Sequence, residues 1–418
     1  MYKILIASIV LTIVTACGTN PVTGKRQITL MSQSQEIALG QQQYAPSQQS
    51  QGGTYTVDPN LSVYVNRIGQ RLAKRSAQPT LPYEFVVLNN DVPNAWALPG
   101  GKIAINRGLL VLLEDEAQLA AVLGHEVVHA AARHGAEQMA TGTGLQLLAT
   151  LAMTQTDNQL YRQAAGLGAA GAQAHYGREN ELESDHYGIN YMVAEGYDPY
   201  GAVELQQTFL RISKESGRKS DFFSALFASH PPSQERVDKN RARAKTLPAG
   251  KRNRQAFLNA TRQIRKDKPA YEKHQAAMKA AGKKQWGAAL SLTEQAIRMQ
   301  PREARFHVTK GRLLNREKDY KKAQAAFDRA VTLEPNYFAP HLYRGLLFNQ
   351  IKNYDRAQKD FLASSKLLPN QPAHFYLGEI AHRKKDYKQA AGYYKKAVQG
   401  GGEMGKTASS RLQRLGIR

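Results

Sequence analysis

A 34-residue period runs through the last third of the chain and leaves little freedom in what that part can fold into. Trp286, Tyr320 and Tyr354 recur every 34 residues, and Tyr387 follows after 33. Ala289, Ala323, Ala357 and Ala390 keep the same rhythm, as do Phe327, Phe361 and Tyr394. Gly311, Gly345 and Gly378 recur with them, and Pro301, Pro335 and Pro369 close the intervals. Such a period means paired helices, with small residues where two helices cross and a proline between pairs. One pair cannot bury its own apolar face, so the pairs must stack, and stacking makes a concave surface. About four units are legible, the first (near Tyr271 to Pro301) keeping least of the pattern.

Charge divides the chain in the same place. Residues 1–250 hold 21 Lys and Arg against 21 Asp and Glu, whereas residues 251–418 hold 36 against 13, so the whole net charge of +23 sits in the C-terminal part. The two parts are expected to meet different partners. A basic array fits acidic partners: anionic headgroups, acidic protein loops or unfolded chains. The plain alternative is that the charge keeps the array soluble. No nucleic-acid recognition motif is present, and an export signal argues against nucleic acid as partner.

That signal is at the start. Lys3 precedes an apolar run, Ile4 to Val14, too short to span a bilayer. Val14-Thr15-Ala16-Cys17 then resembles a lipobox, the site at which bacterial lipoproteins are cleaved and acylated on cysteine. Cys17 is the single cysteine, which also excludes an intramolecular disulfide. A lipid on Cys17 would tether the chain to a membrane. Gly18 after it, by resemblance to Gram-negative lipoproteins, implies an outer-membrane anchor facing the periplasm of a bacterial envelope.

Between these ends lies a mixed region. Residues 18–31 read as an extended tether, and Ser32 with Gln35 has the spacing of a helix capping box. Leu61, Val65, Ile68 and Leu72 make one apolar helix face. Tyr83 to Leu88, and Asn94 to Leu98 followed by Lys102 to Ile105 across a tight turn, read as short strands. Glu116 to Arg133 and Glu179 to Ala194 read as helices, and Pro199 opens another. Thr141 to Ala174 is rich in Ala, Gly, Leu and Gln. It reads as helical with a flexible middle, because glycine weakens a helix.

The first of those two helices carries His125-Glu126-Val127-Val128-His129. Positions i and i+4 share a helix face, so both imidazoles can reach one ion, while Glu126 beside them can take a proton from water. Catalytic zinc keeps three protein ligands and an open position. The metzincin continuation fails, since Ala132 and Gly135 stand where it needs glycine and histidine. Downstream, Glu181 can complete a set of two histidines and one glutamate. Asp185, one turn later, can accept the other ring N–H of a ligand histidine, His125 by preference. The alternative for both acids is a solvated helix face. A purely structural zinc is the rival for the whole set, but Glu126 is not needed there.

HEVVHAAARH, then ENELESD, then Ser229-His230-Pro231-Pro232 resembles the M48 family of zinc metallopeptidases, as does the preceding NAWALPGG segment. The resemblance covers roughly residues 25 to 245. It implies one Zn2+ per chain on His125, His129 and Glu181, with Glu126 as general base and Asp185 behind the ligands. Ser184 replaces the alanine often found before the motif aspartate. Resemblance to members that also carry repeats gives His230 a regulatory role as a further zinc ligand that holds the enzyme latent; read from the residues alone it is a capping or packing histidine. His134 and His175 read as surface residues or as residues behind the ligands, and are left out of the site.

The chain is thus expected to be mainly α with a small β-sheet: a zincin-like metalloprotease domain followed by an all-α TPR solenoid. The expected division is a signal peptide over 1–16, a lipid-anchored tether over 17–31, the M48-like domain over 32–245, a basic linker over 246–268, TPR repeats over 269–400 and a tail over 401–418. The resemblance implies a zinc metalloendopeptidase acting on unfolded or misfolded envelope proteins. Its TPRs would recruit clients or partners, the outer-membrane barrel assembly machinery among them. The rival is a chaperone or assembly scaffold with a mostly silent protease site.

Overall fold

A computed structural model describes residues 17–140, 176–216 and 223–416. The signal segment, the Ala/Gly-rich stretch Thr141–Ala174 and His175 lie outside the described residues. The chain divides into two compact units, Met1–Ile264 and Arg265–Arg418.

In the first unit, β1 (Cys17–Thr19) and β2 (Arg26–Ile28) pair antiparallel, with Cys17 opposite Ile28. The stretch expected as a bare tether is therefore ordered against the domain. The Asn20 amide donates to Glu183 at 2.8 Å, and Arg133 donates to the Met31 carbonyl at 2.8 Å. Helix α1 (Gln33–Ser50) opens on the capping box: the Ser32 hydroxyl accepts from the Gln35 N–H while the Gln35 side chain accepts from the Ser32 N–H. Helix α2 (Pro59–Ala73) starts on Asp58 with proline at its first position and buries Leu61, Val65, Ile68 and Leu72.

Three strands follow: β3 (Glu84–Leu88), β4 (Ala95–Leu98) and β5 (Lys102–Asn106), in the order β3-β5-β4. β3 is parallel to β5 and β4 antiparallel to it, with Ala95 opposite Ile105 and Ala97 opposite Ile103. The outer edge of β3 is occupied: the Tyr55 N–H donates to the Val87 carbonyl and the Asn89 N–H to the Gly53 carbonyl. That leaves β4 as the free edge of this sheet among the described residues.

After α3 (Arg107–Leu110) comes α4 (Glu116–Ala131), buried at every position. A helix apolar on all sides belongs in a core, and α2, α5 (Arg178–Ala194), α6 (Tyr200–Ser216) and β4 surround it. Each of its buried leucines and valines contributes about 1.5–3 kcal/mol on this count. Two glycines let α4 and α5 touch backbone to backbone. A Cβ on Gly188 would stand 2.9 Å from the His125 nitrogen, and one on Gly124 3.0 Å from the Gly188 carbonyl oxygen. The side chains flanking that contact are the metal-binding candidates.

Helices α7 (Ser224–Ser229), α8 (Gln234–Ala244), α9 (Arg254–Ala260) and α10 (Arg262–Lys266) complete the unit. The stretch 246–268 is more than the basic linker expected. Phe257 and Ile264 are buried in the core around α4, and the Asn253 amide donates to Glu116 at 2.7 Å. Two apolar residues among many polar ones were enough to dock residues 246–264.

The second unit is all helix: α11 (Lys268–Gly282), α12 (Trp286–Met299), α13 (Ala304–Arg316), α14 (Tyr320–Leu333), α15 (Phe338–Gln350), α16 (Tyr354–Leu367), α17 (Gln371–Arg383), α18 (Tyr387–Val398) and α19 (Gly402–Arg414). The repeat unit is built at its turn. Lys284, Lys318, Lys352 and Lys385 each take a left-handed conformation, φ 60–64°. The next residue's N–H returns to a carbonyl of the finished helix, as Asp319 does to Leu314 at 3.0 Å. The Asp319, Asn353 and Asp386 side chains then cap the following helix. Gly311 lies against the Phe327 ring, where a Cβ would stand 2.5 Å from it. The region expected as a tail over 401–418 contains the helix α19 (Gly402–Arg414), with Ala408 fully buried beside Tyr394 and Ala397.

Arg344 on α15 clamps its neighbours, with two bonds of 2.8 Å to Asp360 on α16 and one of 2.8 Å to Asp328 on α14. Burial alone would raise the Asp360 pKa, but Arg344 and His341 outweigh it and hold the carboxyl below its ordinary range. The unfolded value is about 3.9. The bridge therefore stabilises fully above that pH and is lost as pH falls through the lower folded value. Asp360→Asn is expected to cost about 1–2 kcal/mol at neutral pH, and its melting-temperature deficit should close in acid. A deficit still full at pH 2 would mean that the charge plays no part.

Candidate metal centre

Helix α4 brings His125 and His129 to one face, and the glycine contact sets Glu181 of α5 opposite them. His230 enters from the end of α7, where its N–H donates to the Leu226 carbonyl at 2.7 Å. One donor atom from each of His125, His129, Glu181 and His230 lies within 4.8 Å of all the others, and all four residues are buried. The separations are 3.0 Å for His125 Nε2 to His129 Nε2, 3.3 Å for His125 Nε2 to His230 Nδ1, 3.3 Å for His129 Nε2 to Glu181 Oε1 and 3.0 Å for His230 Nδ1 to Glu181 Oε1. Ligands about 2.0–2.1 Å from a tetrahedral zinc stand about 3.3 Å apart. The donor set therefore fits zinc in size, number and chemistry.

Electrostatics agree with a site that takes a cation. Burial works against a charged His125, yet Glu181 and Asp185 outweigh it and hold its pKa at about 10. Burial pulls His129 well below its ordinary value. Burial would also raise Glu181, but His230, His125 and Arg236 hold it well below the usual carboxylate range.

Glu126 stands outside the ligand set. Its Oε1 is 3.5 Å from His230 Nε2, and its Oε2 is buried with no hydrogen-bond partner among the described residues. Burial raises its pKa, the direction that suits a base working near neutral pH. His125 Nδ1–H donates to Asp185 Oδ1 at 3.0 Å, which directs Nε2 at the other donors, where a metal ion would take the place of its proton.

Arg236 was missed in the sequence, and His134 was left out of the site. Arg236, on α8 just past the His-Pro-Pro segment, is buried, donates to Asp185 at 2.7 and 2.8 Å and to the Pro231 carbonyl at 3.1 Å, and forms an ion pair with Glu181 at 2.7 Å. It neutralises two buried carboxylates and holds the chain next to His230. Only its place near that segment hinted at it. His134 is fully buried, with Nδ1 2.9 Å from His129 Nδ1 and Nε2 3.2 Å from Glu183 Oε1. With His129 Nε2 on the ion, its Nδ1–H donates to His134, whose Nε2–H donates to Glu183. His134→Ala is expected to weaken zinc binding by about 10- to 100-fold, read by chelator competition. Unchanged affinity would show that this bond does not orient His129.

A cavity of about 40 Å³ adjoins the cluster, lined by Ala95, Val122, His125, Glu126, Leu226 and His230 among others. It has room for a few water molecules and none for a peptide chain.

Residues 59–244 match peptidase family M48, and residues 275–340 and 344–404 match tetratricopeptide repeats. The β-barrel assembly-enhancing protease of Escherichia coli is 28% identical over 241 residues, 56% of this chain and 48% of that one. The mitochondrial metalloendopeptidase OMA1 of Schizosaccharomyces pombe is 29% identical over 222 residues, 52% of this chain and 64% of that one. The matched region thus spans less than two thirds of either relative. A solved structure of pilF from Pseudomonas aeruginosa is similar over 38% of this chain and 82% of its own, at 20% identity and a TM-score of 0.32. With donors arranged for zinc and Glu126 beside them, residues 59–244 form a peptidase family M48 domain, and tetratricopeptide repeats follow it in the same chain.

Proposed function

We propose that this chain is a zinc metalloendopeptidase of a bacterial envelope. It would be anchored by a lipid on Cys17 to the outer membrane, facing the periplasm, and act on misfolded or stalled envelope proteins. The observation that carries the reading is the buried His125–His129–Glu181 set with Glu126 beside it and outside it. Zinc, when bound, supplies a Lewis acid for the scissile carbonyl and makes water a nucleophile near neutral pH. Glu126 takes the proton of the attacking water and delivers it to the leaving amine. Asp185 fixes the His125 tautomer, and Arg236 balances the buried acids. The free edge of β4 offers backbone groups to an extended substrate, and pairing of that kind reads main chain, which suits unfolded polypeptides.

The tetratricopeptide repeats recruit clients or partners, and their basicity favours acidic surfaces. The similarity to the β-barrel assembly-enhancing protease of Escherichia coli makes barrel assembly the first process to examine. A second reading, a latent protease that works chiefly as a chaperone or scaffold, is favoured by His230 standing among the metal donors. Casein cleavage tests the first reading. Activity should vanish with a zinc chelator and return with zinc. Silence of both the parent and His230→Ala with zinc bound would sink it.

A further inference from the structure

The free edge of β4 is not open along its length. In an antiparallel ladder, residues alternate between bonding the partner strand and facing away from it. The Asn106 N–H donates to the Asn94 carbonyl at 2.8 Å, so Asn94, Trp96 and Leu98 face β5. Ala95 and Ala97 therefore turn their N–H and C=O outward. Ala95 also lines the cavity with His125 and Glu126, so this edge runs along the metal centre.

At Ala97 the outward carbonyl is taken. The Tyr176 hydroxyl donates to it at 3.4 Å, and the Tyr176 ring stacks on His129 with centroids 3.7 Å apart and planes at 21°. The same ring lies 5.8 Å from that of His230. Tyr176 is buried, wedged between the strand edge and a metal-ligand histidine. A side chain there and an added strand cannot share the Ala97 edge. The hydroxyl bond is long for O–H···O, where about 2.7–2.8 Å is usual. It satisfies a buried carbonyl, yet an amide N–H at ordinary distance would outbid it.

We propose that Tyr176 caps the strand-pairing edge of β4 at Ala97 until an extended polypeptide substrate displaces it. The inference rests on the peptidase reading and adds to it a second closure. His230 occupies the metal side of the cleft, whereas Tyr176 occupies the strand side. A polypeptide must open both, so with His230 lost it still has to displace Tyr176, and cleavage appears but below the level reached with both removed.

The test is binding of fluorescein-labelled casein, with zinc in excess, to the full chain carrying Glu126→Gln, which separates binding from cleavage, and His230→Ala, which opens the metal side. Tyr176→Phe keeps the ring on His129 and frees the Ala97 carbonyl. It should tighten binding by about 2- to 10-fold, the size of one hydrogen bond, and Tyr176→Ala by at least as much. Ala97→Pro removes the outward N–H at a place where an edge strand tolerates proline, and should weaken binding with either residue at 176. Zinc content should be the same throughout. Binding no tighter in either Tyr176 variant overturns the cap, and binding indifferent to Ala97→Pro overturns strand pairing at Ala97. Absence of binding in every variant overturns both. The peptidase reading is judged apart from these, by cleavage in His230→Ala with Glu126 intact.

Discussion

Glu126→Gln is expected to bind zinc as the parent does and to lose casein cleavage by about 10²- to 10⁴-fold in kcat, the range that a positioned general base supplies. The substitution keeps size and shape but removes the ability to accept a proton. Glu126 is buried and lies beside the four donor atoms without being one of them, so nothing in the coordination should change. Its Oε2 has no hydrogen-bond partner among the described residues, so the variant gives up no such bond at that oxygen. The comparison needs zinc content measured alongside kcat. Equal cleavage in the variant would mean that another group takes the proton. Loss of zinc would mean that Glu126 belongs to the ligand set, which would return the structural-zinc reading.

His230→Ala is expected to move activity the other way. As a fourth donor on a bound zinc, His230 would fill the position that catalysis needs for water and substrate. Its seat is built rather than incidental. The backbone N–H is fixed to Leu226, Nδ1 stands 3.0 Å from Glu181 Oε1, and Arg236 holds the adjoining Pro231 carbonyl. If the open form is a minor state of about 0.1–10%, removing the plug raises kcat by about 10- to 1,000-fold. Zinc affinity should fall, since one donor is lost, and metal must be supplied in excess. A variant no more active than the parent, with zinc bound, would make His230 a packing residue. Tyr176→Ala on top of His230→Ala then shows whether the strand edge sets what latency remains.

The two units were legible in the sequence to different depths. In the repeats nearly everything structural is local. The aromatic, alanine, glycine and proline columns follow from contacts within a pair and between neighbours, so the period announces the fold. What the period did not expose was the lysine in each turn, because a left-handed lysine has no special composition to mark it. The basic stretch 246–268 misled for a related reason. Polarity outweighs Phe257 and Ile264 in a composition reading, while burial of those two decides where the segment lies.

At the metal centre, helical periodicity alone placed His125 and His129 together, since i and i+4 share a face whatever surrounds them. Everything that crosses from one element to another needed the tertiary structure. The Gly124–Gly188 contact brings Glu181 to the histidines, Arg236 comes from 51 residues past Asp185 to balance the buried acids, and His134 turns inward to hold His129. The same holds for Tyr176 on the β4 edge. The physical reason is range: a sequence displays interactions that repeat at the spacing of a helix or a strand. Charge compensation, tautomer relays and capped edges join residues whose separation along the chain obeys no period.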